Sequence, residues 1–294
     1  MEEGLGKAGA ARNSRDGQSM NDRNIAIAVA PNGGRKTKAD HPALPITPTE
    51  LAATAAECLE AGAAMIHVHV RKPDGSHLLD AEAYRAATGA IREAVGDRLV
   101  VQITSEALGL YKPAEQMRVV RETRPEAVSL ALREYCGEAG DEKAFADFLA
   151  WLAREKVMPQ IILYDAEDAA WLKGFRRLGG LPWENVPVLY VLGRYTKTQQ
   201  SEPADLLPFL SPDAPHFGPW AVCAFGRDEA ACTATAALLG GHVRVGFENN
   251  LLLPDGSTAA SNADLVKAVT GIIGAAGRTT MTADALRDEW LVGS

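Results

Sequence analysis

Two histidines stand one residue apart in the apolar segment Met65–Val70. If this segment is a strand, His67 and His69 point to the same face, because alternate side chains share a face. Two unpaired imidazoles in an apolar strand cost free energy, whereas a metal ion between them would use both. A buried, hydrogen-bonded core position remains the structural alternative. We predict that His67 and His69 bind a metal ion.

Glu248 is the candidate third ligand, because it directly follows the apolar segment Val243–Phe247. Two histidines and one carboxylate, with a position left open for water or substrate, form a catalytic metal arrangement. Zinc suits these ligands well, and their types also accommodate iron, manganese and cobalt. A surface carboxylate is the alternative interpretation of Glu248.

Arg244 shares a strand face with Glu248 by the same alternation. A buried arginine needs an anion nearby. That anion would be a substrate carboxylate, an enolate or a neighbouring acid, and a structural salt bridge is the alternative.

Polar residues also end two other predicted strands. Thr104 and Ser105 offer hydroxyls that would hold a carboxylate. Arg133 and Glu134 place two charges after another strand, where a solvated loop is the alternative.

The remaining histidines are not expected to bind the metal. His242 lies at the start of a predicted strand, away from the end that carries Glu248. His41, His77 and His216 lie in predicted loops, where a solvated role is expected.

Short apolar segments alternate with helical patterns from residue 24 to the end of the chain. The predicted strands are Ile25–Ala30, Met65–Val70, Leu99–Ile103, Ala127–Leu132, Pro159–Tyr164, Pro187–Leu192, Trp220–Ala224 and Val243–Phe247. The predicted helices cover residues 47–62, 80–95, 113–123, 141–156, 166–178, 228–239, 262–276 and 282–291, with a weaker pattern over 199–210. Continuous apolarity is typical of strands that are buried on both faces.

Eight strands, each followed by a helix, predict one (β/α)₈ TIM barrel. The alternative is an open, doubly wound sheet, but no Gly-x-Gly-x-x-Gly follows the first strand, which disfavours a dinucleotide site. In a barrel, active-site residues gather at the C-terminal ends of the strands. That would bring Glu248 close to His67 and His69.

Composition narrows the class of protein. The chain has 294 residues, a net charge of −8 and 47% hydrophobic residues, and its acidity argues against a nucleic-acid partner. No apolar run approaches the ~20 residues of a membrane span. Four scattered cysteines without a Cys-x-x-Cys pair indicate a reducing compartment, the cytoplasm. Residues 1–23 are predicted to be a disordered tail without the apolar core of a secretory signal, and residues 24–294 the catalytic barrel.

Over residues 24–294 the sequence resembles the β-keto acid cleavage enzymes, whose first characterised members act on 3-keto-5-aminohexanoate. The motifs that carry the resemblance are Ala30–Gly34, Thr37-Lys38, Pro42–Pro45, Ala61–Arg71, Asp74-Gly75 and Gly240–Asn250. The resemblance implies a TIM barrel with one Zn²⁺ per chain, held by His67, His69 and Glu248. It also implies a homo-oligomer, commonly a tetramer.

The resemblance further implies a reaction in which a β-keto acid and acetyl-CoA give acetoacetate and the CoA ester of the shortened acid. In that reaction zinc polarises the substrate carbonyl, and a retro-Claisen step releases acetoacetate. Arg244 matches the catalytic arginine of the family. Thr104 and Ser105 match positions that contact the substrate carboxylate, and Asn32 is placed among the substrate-binding residues.

Three departures from the 3-keto-5-aminohexanoate enzyme concern the substrate-binding positions. Asn249 replaces an aspartate, and an asparagine cannot act as a general base. Arg35 replaces an acidic residue that binds the substrate ammonium group, and Glu134 replaces a threonine. We therefore expect a β-keto acid with a neutral, polar or anionic distal end, such as 3-oxoadipate. If Glu134 neutralises Arg35, the pocket would favour an uncharged chain.

Two other functions remain open from the sequence. One is a metal-dependent aldolase or hydrolase on a TIM barrel that works without CoA. The other is a non-catalytic barrel that binds a small acid.

Overall fold

Eight parallel strands close into a barrel in the computed structural model, which describes residues 24–137 and 141–291. The barrel strands are β1 (Ile27–Val29), β2 (Met65–Val68), β5 (Val100–Thr104), β6 (Ala127–Ala131), β7 (Met158–Leu163), β8 (Val188–Leu192), β9 (Trp220–Ala224) and β10 (His242–Val245). Their order around the barrel is β1-β10-β9-β8-β7-β6-β5-β2. The predicted TIM barrel is confirmed. The tail predicted for residues 1–23 lies outside the described residues.

Each barrel strand begins and ends within two residues of its predicted bounds, and two of the small differences affect the site. The segment predicted as one strand over Met65–Val70 leaves the barrel after Val68. It continues as β3 (Val70–Arg71), which pairs antiparallel with β4 (His77–Leu78). The last strand, β10, ends at Val245 because the chain turns at Gly246.

Helices follow the strands and cover the outside of the barrel. They are α1 (Pro48–Glu60), α2 (Ala81–Val95), α3 (Pro113–Thr123), α4 (Leu132–Tyr135), α5 (Asp141–Arg154), α6 (Ala166–Arg177), α7 (Leu207–Leu210), α8 (Glu229–Leu238), α9 (Asn262–Ala275) and α10 (Ala283–Leu291). Helix α1 begins with the predicted capping box, in which Thr47 and Glu50 satisfy each other's backbone N–H groups. The weak pattern over 199–210 forms only a 3₁₀ turn (Pro203–Leu206) and α7.

The main apolar core lies between the strands and the surrounding helices, where large side chains such as Tyr84, Phe145 and Phe148 are fully buried. At the N-terminal end of the barrel, helix α10 packs Leu286 and Trp290 against the strand starts. This end is therefore closed by apolar contacts. No helix in the described part of the chain is long and apolar enough to cross a membrane.

Candidate active site

His67, His69 and Glu248 meet at the C-terminal end of the barrel. The Nε2 atoms of the two histidines lie 3.2 Å apart. Glu248 Oε2 lies 3.4 Å from His69 Nε2 and 3.7 Å from His67 Nε2. One donor atom from each side chain falls within a group whose members all lie within 4.8 Å of one another. The three predicted ligands thus face one common point, as a shared metal ion would require.

The turn after β10 carries Glu248 to this point. Gly246 has φ +140°, and a Cβ atom there would lie 2.3 Å from Ala30 O, so only glycine fits. The turn is fixed by hydrogen bonds from Glu248 N to Ala30 O (3.1 Å) and from Lys36 Nζ to Glu248 O (2.7 Å). Gly33 leaves room for the glutamate side chain, because a Cβ at Gly33 would lie 2.6 Å from Glu248 Cγ. Gly33 of the segment Ala30–Gly34 and Gly246 of the segment Gly240–Asn250 thus let these two segments pack against each other.

The donor set fits a zinc ion. His67 Nδ1 lies 2.7 Å from Gln102 Oε1, so Nδ1 carries the proton and the Nε2 lone pair faces Glu248. Burial, with a contribution from the charge of Arg244, lowers the pKa of His67 to about 3 and keeps the ring neutral. Buried Glu248 Oε2 has no hydrogen-bond partner among the described residues. Two imidazoles and a carboxylate are ligands that Zn²⁺ commonly takes in catalytic sites.

Arg244 lies beside these ligands and is 4% exposed. Its Nη2 is 3.1 Å from Glu248 Oε1 and 3.3 Å from Cys223 Sγ. Burial opposes ionisation of Glu248, but the charge of Arg244 and the contacts with His69 and His67 together outweigh it and hold the pKa of Glu248 well below its usual value. The buried Nε and Nη1 of Arg244 have no partner among the described residues. Arg244 therefore pairs with a ligand and still offers donors to an anion.

Above these groups lies a cavity of about 20 Å³. Its polar lining includes Thr104, Glu106 and Arg194, and its apolar lining includes Ile162 and Phe225. This volume is about that of a single water site.

Comparison with known proteins agrees with this architecture. A sequence profile described as beta-keto acid cleavage enzyme matches residues 24–290. The chain is 32% identical to a 3-keto-5-aminohexanoate cleavage enzyme from Fusobacterium nucleatum over 269 residues, which are 90% of this chain and 96% of that protein. The chain belongs to the β-keto acid cleavage enzyme family.

Other relatives differ in the substrate that their names give. The chain is 27% identical to a 3-oxoadipate:acetyl-CoA acetyltransferase from Cupriavidus necator, over 87% of this chain and 90% of that protein. The solved complex of ObcA with oxaloacetate superposes with a TM-score of 0.63 at 17% identity, over 85% of this chain and 67% of that one. At this identity the superposition shows a common fold only. The relatives of this chain therefore differ in the substrates that their names give.

The predicted substrate-binding residues of this family member lie in different surroundings. Thr104 lines the cavity. Ser105 is buried, and its hydroxyl donates to Ser129 O at 2.7 Å. Asn32 donates to Pro45 O and to His69 O. Ser105 and Asn32 are thus held by backbone groups, and Asn32 fixes the chain at His69.

The three positions at which we expected a departure from the 3-keto-5-aminohexanoate enzyme, Asn249, Glu134 and Arg35, also have different surroundings. Asn249 is 4% exposed, and its side-chain amide has no partner among the described residues. Glu134 accepts hydrogen bonds from Ala107 N (2.9 Å) and Gln116 Nε2 (2.8 Å), and burial raises its pKa to about 7. Arg35 is exposed. No ion pair joins Glu134 to Arg35 within the described ranges, so nothing there shows the neutralisation that we considered.

The structure adds two charged cavity residues that the sequence prediction missed. Arg194 Nη2 lies 3.3 Å from Glu106 Oε1, and Glu106 Oε2 lies 3.9 Å from His69 Nδ1. Each of these residues comes two positions after the end of a barrel strand, β8 for Arg194 and β5 for Glu106. A charged residue at that position of a barrel strand is the signal that would have identified them.

Two predictions for the other histidines were wrong, and two match the structure. His216 is exposed in a loop, as expected. His77 is 3% exposed in β4, where its Nε2 lies 2.7 Å from Glu106 O. His41 is 5% exposed and bonds to Ala259 O. Both loops fold back onto the barrel, so neither ring is solvated. His242 lies at the other end of the barrel, as expected, with Nε2 2.5 Å from Glu289 Oε2.

Proposed function

We propose that this protein is a zinc-dependent β-keto acid cleavage enzyme. It converts a β-keto acid and acetyl-CoA into acetoacetate and the CoA ester of the shortened acid. The observation that carries this proposal is the convergence of His67, His69 and Glu248 beside a buried arginine, Arg244, at the C-terminal end of the barrel. The relatives named for 3-keto-5-aminohexanoate cleavage and for acetyl-CoA transfer support it.

The ligand atoms of His67, His69 and Glu248 would hold one Zn²⁺ per chain. A bound zinc ion supplies a Lewis acid that polarises a carbonyl oxygen. Arg244 would stabilise the negative charge that develops on the reacting oxygens, because its free donors are buried and already positioned. Thr104, on the wall of the same cavity, would receive the substrate carboxylate.

The neighbouring groups restrict the chemistry of the site. Burial raises the pKa of Cys223 to about 11, so this thiol is not an ionised nucleophile. Asn249 cannot accept a proton where the 3-keto-5-aminohexanoate enzyme has an aspartate. This replacement is the observation that keeps a CoA-independent, metal-dependent aldolase or hydrolase as the second candidate.

The test is a product assay on the zinc-loaded protein with a panel of β-keto acids, with and without acetyl-CoA. We expect acetoacetate only when acetyl-CoA is present. Turnover without CoA would instead support the aldolase or hydrolase, and binding without turnover would support a non-catalytic barrel.

The metal is tested separately by elemental analysis. We expect about one zinc per chain, with most of it lost in His67→Ala and in His69→Ala. His242→Ala is the matched control, because it removes a buried strand histidine at the opposite end of the barrel. Undiminished zinc in both ligand variants would exclude this site.

We further propose that the enzyme is a cytoplasmic homotetramer. The proposal rests on the family resemblance and on the four scattered cysteines, none of which forms a disulfide in the structure.

A further inference from the structure

The ion pair between Arg194 and Glu106 crosses the mouth of the barrel. Arg194 follows β8 and Glu106 follows β5, and two strands, β7 and β6, separate them around the barrel. The Nη2–Oε1 distance is 3.3 Å, and the side chains are 10% and 19% exposed. Both side chains line the same cavity as His67, His69 and Glu248.

The two partners of this pair differ in what else they can bind. Within the described residues, the guanidinium of Arg194 hydrogen-bonds only to Glu106, and its Cζ atom lies over the Phe225 ring, 5.2 Å from the ring centroid. Glu106 has a second neighbour, because its Oε2 lies 3.9 Å from His69 Nδ1. That nitrogen is buried without a partner in the described part of the chain. A ligating histidine commonly donates its other N–H to a carboxylate. If the contact between Arg194 and Glu106 breaks, Glu106 can thus accept a hydrogen bond from His69 instead. Arg194 would then need another anion as its partner.

The cavity must open before a substrate enters. Its volume of about 20 Å³ does not hold a β-keto acid. The cavity is lined by Arg194 and Arg244 and by the apolar side chains of Ile162, Val191 and Phe225. This arrangement suits an alkyl chain that carries an acidic group at each end.

We propose that Arg194 recognises a carboxylate at the distal end of the substrate, and that Glu106 occupies its place when no substrate is bound. The substrate class is then a β-keto dicarboxylate. This inference rests on the proposed function for the identity of the reacting end. It assigns distal recognition to Arg194 rather than to Arg35, which is exposed and does not line the cavity. A guanidinium can bind a carboxylate through two parallel hydrogen bonds. Arg194 makes only one hydrogen bond to Glu106, so its other N–H groups are available to a substrate carboxylate.

The kinetic test compares 3-oxoadipate with 3-oxohexanoate, which has the same chain length but only one carboxylate. In Arg194→Gln we expect kcat/KM for 3-oxoadipate to fall 10- to 100-fold, mainly through KM. For 3-oxohexanoate we expect a change of less than threefold. Arg194→Lys should give an intermediate loss, because lysine keeps the positive charge but cannot form two parallel hydrogen bonds to one carboxylate. Arg227→Gln, an exposed arginine in the loop after β9, is the matched control.

A binding measurement separates this inference from the proposed function. Calorimetry on the zinc-loaded protein, without acetyl-CoA, compares adipate with hexanoate. We expect adipate to bind at least tenfold more tightly to the wild type, and this preference to disappear in Arg194→Gln.

If no β-keto acid turns over but adipate binding follows this pattern, the proposed function fails and the role of Arg194 stands. Equal losses for both substrates in Arg194→Gln, or no preference for adipate in the wild type, would overturn the inference. A loss of dicarboxylate preference in Arg35→Gln alone would also overturn it.

Discussion

Gln102 offers a direct test of the metal site, because it contacts a ligand without being one. We predict that Gln102→Leu weakens zinc binding 10- to 100-fold. Gln102 is fully buried on β5, accepts from His67 Nδ1 at 2.7 Å, and donates to Gln160 Oε1 at 3.2 Å. Leucine keeps a similar volume but removes the acceptor that fixes the His67 ring.

The magnitude follows from two separate estimates. Removing a partner that orients a ligand commonly costs 10- to 100-fold in metal affinity, which is about 1.4–2.7 kcal/mol. A buried N–H without an acceptor costs about 1–3 kcal/mol, and His67 Nδ1 would be such a group because His67 is 1% exposed. The two estimates overlap. Gln102→Glu restores an acceptor to His67, so we expect its zinc affinity to exceed that of Gln102→Leu.

The assay is a competition titration of metal-free protein against a chromophoric zinc chelator, with thermal melts to verify folding. Gln116→Leu is the matched control. Gln116 is also fully buried and donates to Ser105 O and Glu134 Oε2, but it contacts none of the three ligands. If folded Gln102→Leu binds zinc as tightly as the wild type, His67 Nε2 is not the ligand atom and our interpretation of the site is wrong.

Three further predictions use other measurements. Arg244→Ala should keep its zinc and lose at least ~100-fold in acetoacetate production, about 2.7 kcal/mol; near-normal turnover in the folded variant would leave Arg244 a structural role. Burial raises the pKa of Glu134 from 4.5 to about 7, so the folded protein favours the protonated carboxyl. The contribution of this group to the free energy of unfolding is complete below pH 4.5 and is lost as the pH rises through 7. Melting temperatures should therefore fall less between pH 5 and 8 in Glu134→Gln than in the wild type, and equal slopes would contradict this. Light scattering at micromolar concentration should show an oligomer, and a single monomeric species would refute the tetramer.

The fold was predictable because barrel strands are buried on both faces and carry continuous apolar residues. Alternation within one strand predicted that His67 lies beside His69, and the same rule predicted that Arg244 shares a face with Glu248. The gathering of active-site residues at the C-terminal strand ends then predicted that β2 and β10 bring these side chains together. These side chains do meet, but His69 follows the end of β2 and Glu248 follows the turn at Gly246, so the backbone beyond the strands sets their final directions.

Side chains beyond the strand ends were harder to place, because periodicity does not extend into loops. Ser105 was expected to contact substrate, but its hydroxyl is directed to the backbone of β6. Arg35 was expected in the pocket and is exposed. Arg194 reaches the cavity from a turn at Gly193, whose φ is +79°, and no strand pattern predicts that direction. The contacts that position loop side chains come from residues distant in sequence.

The two ends of the barrel show why histidine and glutamate together do not identify a metal site. At the N-terminal end, His242 accepts from Ala26 N at 3.0 Å and donates through Nε2 to Glu289. Both of its ring nitrogens are satisfied within the chain, so this pair is structural. At the C-terminal end, His67 Nδ1 is held by Gln102, while His67 Nε2 faces the Nε2 of a second imidazole and a carboxylate oxygen that lacks a partner among the described residues. Because buried polar atoms are nearly always hydrogen-bonded, this group of converging donor atoms favours a cation between them. The site is therefore distinguished by unmet bonding capacity rather than by residue type.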